Sequence, residues 1–388
     1  MLFVGIDVSS VKHDCCVITE DGIVETFSFD NSIDGFDTLL SHLTVSPEKT
    51  RIGMEATGIY GTNLENFLRC NGFEFSVFNP LSIKKLIAAT TLRKTKTDKA
   101  DSVFLARHMM SQRDFHPDTI SLYHASELKS LSRFRFSLVN DRSKIKTKCK
   151  LAIVMVFPEF LNMFSDCFGT TALAVLKKYP TAKDLAKAKS NSLANLLKVN
   201  SKGRFSFVKA KELIAAAKNS IGTFSDTKSM EIKYYINQIS MISQQISVVE
   251  KKIDIIMASI DSPITSIPGV GSVLGAMILG EIGDISKFAN PNKLLAFAGL
   301  EPSIYESGKL KAVTGTMVKR GSPFLRWALI SAARYSSRYC PTFSVYLNKK
   351  LSEGKHFNVA ISHLAKKLVR VIWTLLSKNT SFNFNFSY

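Results

Sequence analysis

Isoleucine returns every seventh residue at Ile232, Ile239, Ile246, Ile253 and Ile260, and Tyr235, Ile242, Val249 and Ile256 fill a second seam three residues on. Two apolar positions per seven residues, kept over four repeats, define a long helix with one narrow adhesive face that another helix must cover. The pattern predicts a coiled coil over 226–260. β-branched side chains at both seams disfavour a simple parallel dimer. The partner is then either the helix expected over about 127–156 of the same chain or a second subunit, and a long helix packed inside its own domain is the competing reading.

The N-terminal stretch has a different rhythm. "LFVGIDV" at 2–8, "DCCVIT" at 14–19 and "IVETFSF" after the turn "EDG" read as three strands in a meander. A helix over about 34–44, a strand "RIGMEAT" at 51–57, a helix over about 61–71 and a strand "FEFSVFN" at 73–79 follow. A meander followed by alternating helices and strands is a mixed α/β sheet, in the order of the ribonuclease H-like (RuvC-like) fold. From about 125 the chain turns helical and rich in lysine. Three domains are expected: 1–124 as the α/β unit, 125–262 as a helical coiled-coil region with an inserted segment 160–222, and an all-α unit 263–388. No chemistry is legible in the insert.

The chain has 388 residues, 45% of them hydrophobic, which is enough to bury more than one core. Lysine and arginine outnumber aspartate and glutamate by 51 to 32, for a net charge of +19. Such an excess makes a polyanion the leading partner, because every phosphate neutralised releases condensed counterions. The six cysteines form no C-x-x-C pair, so free thiols in a reducing compartment fit better than a disulfide framework or a zinc site. No signal peptide and no membrane-spanning run is legible. The expected location is intracellular.

Asp7 lies inside the first strand, where an acid is costly unless it is paired or bound to a cation. Glu55 ends the fourth strand, and Asp98 and Asp101 open a later helix at a spacing that puts both on one helical face. In a ribonuclease H-like sheet the first and fourth strands are neighbours and this helix packs beside them, so the four acids converge. Oxygen-only ligands suit Mg2+ or Mn2+, which in pairs serve phosphoryl transfer. Arg93, Lys94, Lys96 and Lys99 would then hold the phosphodiester backbone close by. For Asp98 alone, a helix N-cap is the competing role. The lysines of "RSKIKTKCKL" at 142–151 wrap around their helix and would suit a nucleic-acid cradle or a solvated face.

In the C-terminal unit, "SIPGVGSVLGAMILGEIGD" places a tight turn at Gly269 and Gly271 between two expected helices, a helix-hairpin-helix-like element whose backbone N–H groups can hold a phosphate. "YESGKLK" carries Ser307 beside Gly308, with Lys309 and Lys311 flanking. An exposed serine there reads either as a turn residue or as a nucleophile. Lys319, Arg320 and Arg326 form a further basic patch at a helix start.

These motifs together resemble the transposases of insertion sequence family 110, also described as DEDD transposases and RNA-guided bridge recombinases. "GID", "EATGIY" and "KTDKAD", then "IPGVG", "EIGD", "LLAFAGLEPSIYESG" and "VKRGSPFLRWAL", occur in the family's order over nearly the whole chain. The resemblance implies that Asp7, Glu55, Asp98 and Asp101 bind Mg2+ and that Ser307 forms a covalent 5′-phosphoserine with DNA. It further implies that a structured noncoding guide RNA selects double-stranded donor and target DNA, and that a homo-oligomer, dimer or tetramer, builds the composite site. A cytoplasmic prokaryotic protein, nucleoid-associated when bound to DNA and without membrane contact, follows from it. Many relatives carry lysine where this chain has Ser10, and the 160–222 segment is longer than in compact members. The alternative function is a RuvC-like metal-dependent nuclease or junction resolvase that uses water, to which Ser307 would be dispensable.

Overall fold

Strand β1 (Leu2–Asp7) is buried along almost its whole length and is flanked on both sides, by β2 (Lys12–Thr19) antiparallel and by β4 (Thr50–Glu55) parallel. A central strand with both faces covered reads as a continuous apolar run, as "LFVGI" does. This computed structural model describes residues 1–43, 45–55, 60–78, 83, 98–111, 123–302, 306–307, 310–311 and 317–383. Among them, β3 (Gly22–Asp30) and β5 (Glu74–Phe78) complete a sheet of order β3-β2-β1-β4-β5. The β2–β3 turn closes over Glu20 and Asp21, with Thr19 paired to Gly22 and Gly22 at φ 138°, a value open to glycine. Helices α1 (Ile33–His42) and α2 (Thr62–Cys70) cover one face, where Val4, Ile6, Ile52 and Met54 meet Leu39, Leu64 and Leu68. Ser32 caps α1 by accepting from the Gly35 N–H.

Helix α3 (Asp98–Ser111) covers the opposite face. It lies close because Gly5 and Gly53, register partners on β1 and β4, present no side chains beneath it. A Cβ on Gly5 would stand 2.1 Å from the Ser102 carbonyl oxygen, and one on Gly53 would stand 2.6 Å from the Met109 side chain. The chain divides into a unit Met1–Tyr123 and a unit His124–Tyr388.

The second unit is built on two 34-residue helices, α4 (Tyr123–Val156) and α9 (Asp226–Ser259). Arg135 bonds Glu250, and seven residues on, Arg142 bonds Ser243, seven residues back, so the two helices run antiparallel within one chain. The seam of α9 buries Ile232, Ile236, Ile239, Ile242, Ile246, Val249, Ile253 and Met257. At both ends the buried residue is Ile236 or Met257, while the neighbouring heptad positions Tyr235 and Ile256 are half-buried. The mean step is about 3.6 residues, that of a straight helix, so the buried stripe drifts off a strict heptad.

Each end of this helix pair carries its own core. At one end Cys149, Ile153 and Val156 of α4 and Ile232–Ile239 of α9 pack with the insert, whose helices are α5 (Thr170–Lys178), α6 (Ala182–Ala186), α7 (Ser190–Asn200) and α8 (Phe207–Lys218). The insert closes at its stem, where Thr223 N–H donates to Met155 O and the Glu159 carboxylate accepts from Ser220 and Ile221. At the other end Leu128, Leu138 and Ile242–Met257 pack with α10 (Ser272–Ile282), α11 (Pro291–Phe297), α12 (Pro323–Tyr339), α13 (Pro341–Ser352) and α14 (Phe357–Lys378). Helix α14 supplies the deepest stripe, including Ile361, Leu364, Leu368, Ile372 and Leu375, each fully buried side chain contributing about 1.5–3 kcal/mol. No helix among the described residues is long and apolar enough to cross a membrane.

Candidate active site

Strand alternation decides which way the acids face. Val4 and Ile6 of β1, Cys15 and Val17 of β2, and Ile52 and Met54 of β4 point into the α1/α2 core. The intervening positions, Asp7, Asp14 and Glu55 among them, therefore face α3. Asp7 and Glu55 end neighbouring parallel strands, one step past the Ile6–Met54 pair, and both are half-buried. Phe3, two positions behind Gly5, shares a core with Ala106 and Met109, so α3 points its C-terminal end toward Phe3 and its first turn toward Asp7. That turn carries Asp101, which is buried. Asp7, Glu55 and Asp101 thus lie toward the same end of the same sheet face. The backbone of Asp98 opens α3, but its side chain lies outside the described residues, as do Arg93, Lys94 and Lys96; Lys99 is exposed.

Asp14 is an acid that sequence reasoning did not single out as a site residue. It is the cross-strand partner of Asp7 and faces the same way, and Ser28 Oγ donates to its Oδ1 at 2.7 Å. Carboxylate oxygens alone are the donor chemistry of Mg2+ or Mn2+, so the donor type suits such an ion. Among the described residues, no three His, Cys, Asp or Glu side chains stand close enough to hold a metal between them.

In the second unit, Gly269 has φ 86° and a Cβ there would sit 2.7 Å from the backbone of Tyr335, so the turn needs glycine on both counts. Gly271 is exposed and opens α10 without a side-chain cap. The arm before the turn is a 3-10 segment, Pro263–Ser266, where the sequence reading expected a helix. Ser307 lies in strand β6 (Glu306–Ser307), paired with β7 (Leu310–Lys311) through Ser307 and Leu310. The side chains of Ser307 and Lys311, and all of Lys309, lie outside the described residues. The base of this segment is tied by the Pro302–Met317 bridge and by Val318 N–H to Glu301 O. Lys319 and Arg320 are exposed, Lys319 in the left-handed region at φ 47°. Arg326 turns inward, its Nη1 donating to the carbonyls of Ala298 and Lys319 at 3.3 Å each.

Two family profiles match this chain. Residues 4–158 match the DEDD transposase profile of IS110, and residues 261–348 match "Transposase IS116/IS110/IS902 family". The chain belongs to the IS110 family of transposases. It is 24% identical over 383 residues to the "Insertion element IS116 uncharacterized 44.8 kDa protein" of Streptomyces clavuligerus, covering 97% of this chain and 94% of that one. It is 22% identical over 390 residues to the "Pilin gene-inverting protein" of Moraxella lacunata, covering 98% and 97%. A 123-residue stretch is 35% identical to the "Transposase for insertion sequence element IS1111A" of Coxiella burnetii, covering 31% of this chain and 33% of that one.

This IS110-family chain also holds an ion pair, built on a buried carboxylate, that links its C-terminal motifs. Glu281, in "EIGD", is 4% exposed. Arg133 on α4 grips it with two bonds, Nε at 2.6 Å and Nη2 at 3.0 Å, and Ser322 Oγ donates at 2.7 Å. Burial pushes the Glu281 carboxyl up, but the Arg133 and Ser322 bonds and the charges of Arg133 and Lys129 outweigh it and hold the group below its ordinary range. Ser322 is at the same time the N-cap of α12, accepting from Leu325 N–H. The basic turn Lys319–Gly321 is therefore held to α10 and α4 through one carboxylate.

Proposed function

We propose that this chain is an insertion-sequence transposase that cleaves and rejoins DNA through a serine–DNA intermediate, using a divalent metal held by Asp7, Glu55, Asp98 and Asp101. The observation that carries the reading is the gathering of Asp7, Glu55 and the Asp101 turn at one end of one sheet face, on adjacent strands in the order β3-β2-β1-β4-β5. That order supports the ribonuclease H-like reading of the N-terminal unit.

A bound Mg2+ or Mn2+ would supply Lewis-acid polarisation of the scissile phosphate. Ser307 Oγ would attack phosphorus, forming the Oγ–P bond as the P–O3′ bond breaks, with the serine proton passing to solvent and a proton returning to the 3′ oxygen. After strand exchange a 3′ hydroxyl attacks the same phosphorus, and Ser307 leaves with its proton restored. One ester replaces another at each step, so no nucleotide cofactor is consumed. Lys319, Arg320 and the Gly269–Gly271 turn would hold the DNA backbone. A structured guide RNA that selects donor and target DNA, and a dimer or tetramer that brings the acids of one subunit to the serine of another, complete the reading. Full-length relatives named for insertion elements and for inversion of a pilin gene support it.

The test is covalent trapping. The protein and RNA from its flanking element are incubated with labelled donor and target DNA and Mg2+, then denatured in detergent. An adduct present in wild type and absent in Ser307→Ala and Asp98→Ala supports the serine route. Cleavage without an adduct, unchanged by Ser307→Ala, would replace it with a water-using nuclease.

A further inference from the structure

The C-terminal half of α12 shows solvent a face that no step above uses. Arg334 and Arg338 stand one turn apart and are exposed, and Tyr335 and Tyr339 flank them at 47% and 66% exposure. Two turns earlier Trp327 opens the same side of the helix. Beside this face lies a groove of about 450 Å³ lined by Arg334, Ser337, Arg338, Leu347 and Phe357. That volume lies within the range of small-ligand sites. Phe357 contributes an exposed ring, and Arg334 is oriented by donating to Asn358 Oδ1 at 3.2 Å.

The surroundings are cationic. Glu353 is ion-paired with Lys350, and His363 is pushed down by burial and then by Lys366, Lys355 and Lys350. Aromatic rings interleaved with guanidinium groups in a positive setting match one ligand chemistry: bases that have left the duplex, with their phosphates. An apolar peptide would use the rings but bring no negative charge to meet the guanidinium groups.

We infer that this groove binds an unpaired nucleic-acid strand, a base stacking against Phe357 and its phosphates meeting Arg334 and Arg338. The site goes beyond the serine chemistry and does not depend on it, because capture of a strand requires neither metal nor nucleophile. Strand exchange necessarily frees such strands.

The experiment uses the full chain without divalent metal, so that a failure of the catalytic reading leaves it untouched. Fluorescence anisotropy measures binding of a dT12 strand, an rU12 strand and a duplex DNA of equal length. Phe357→Leu keeps apolar bulk and removes the ring; Arg334→Ala/Arg338→Ala removes the guanidinium groups. Both sites are at the surface, and unchanged thermal midpoints verify folding. Each variant is expected to lose about tenfold in affinity for at least one single strand, with duplex binding changed less than twofold. The probe that suffers the loss identifies the strand as DNA or RNA. Wild-type affinity for both single strands, or an equal loss on the duplex, overturns the inference.

Discussion

Replacing Glu281 by glutamine tests whether one carboxylate holds the basic turn to the rest of the C-terminal unit. The Glu281 side chain is 2% exposed and accepts three hydrogen bonds, two from Arg133 and one from Ser322. Glutamine preserves the shape and one acceptor oxygen, but it turns an NH2 group toward donors and removes the charge. A net hydrogen bond to a charged group contributes about 1.5–3 kcal/mol. Breaking a fully buried pair costs about 3–5 kcal/mol, and the Arg133 side chain, 42% exposed, can regain water, so the lower range applies. The expected loss is about 2–3 kcal/mol. Both tryptophans, Trp327 and Trp373, lie in this unit, so urea titration followed by their fluorescence reports on it alone. Arg133→Gln should cost a similar amount, and the double variant little more, for a coupling of about 2 kcal/mol. Because the folded carboxyl is held below its ordinary range, its contribution is present above about pH 4.3 and disappears as pH falls through the depressed folded value. The gap between wild type and Glu281→Gln should therefore close in acid. A midpoint change below about 0.5 kcal/mol, or a coupling near zero, would refute the reasoning.

Three further outcomes are expected. Gly5→Ala should destabilise the N-terminal unit by about 3 kcal/mol or more, since its Cβ meets the Ser102 and Ala106 backbone, whereas Gly53→Ala should cost less because the Met109 side chain can move; limited proteolysis of the two variants ranks them. Mg2+ should raise the thermal midpoint of the wild-type chain, by about 2.7 kcal/mol of stabilisation at a hundredfold excess over Kd, and should leave Asp7→Asn unmoved in differential scanning fluorimetry. Arg326→Lys should lose both carbonyl bonds at the base of the Ser307 segment and lower the trapped adduct about tenfold, while duplex binding in anisotropy stays within twofold.

Local pattern carried the sequence reading well where short-range rules govern. "LFVGIDV", the "EDG" turn and the acid at position 7 sufficed to place β1, the hairpin and Asp7, because strand period and turn chemistry are written within a few residues. The heptad of α9 announced a covered helix, but the register of the buried stripe at its ends depends on whether the helices supercoil, and Ile236 and Met257 displaced Tyr235 and Ile256 there. Asp14 was in plain view as a polar strand residue, yet its meaning lies in its pairing with Asp7, which only the hairpin register supplies. Charge is legible in sequence and direction is not: Arg326 reads with Lys319 and Arg320 as a basic patch at a helix start, and in the fold its Nη1 donates to the carbonyls of Ala298 and Lys319. Glu281 was the least accessible. Its partner Arg133 is 148 positions away, and an acid in a glycine-bearing apolar helix looks like a solvated residue until two other elements close over it. The residues that escaped the reading share one property: each draws its role from a partner brought by the fold, so a single chain offers no local signal for them.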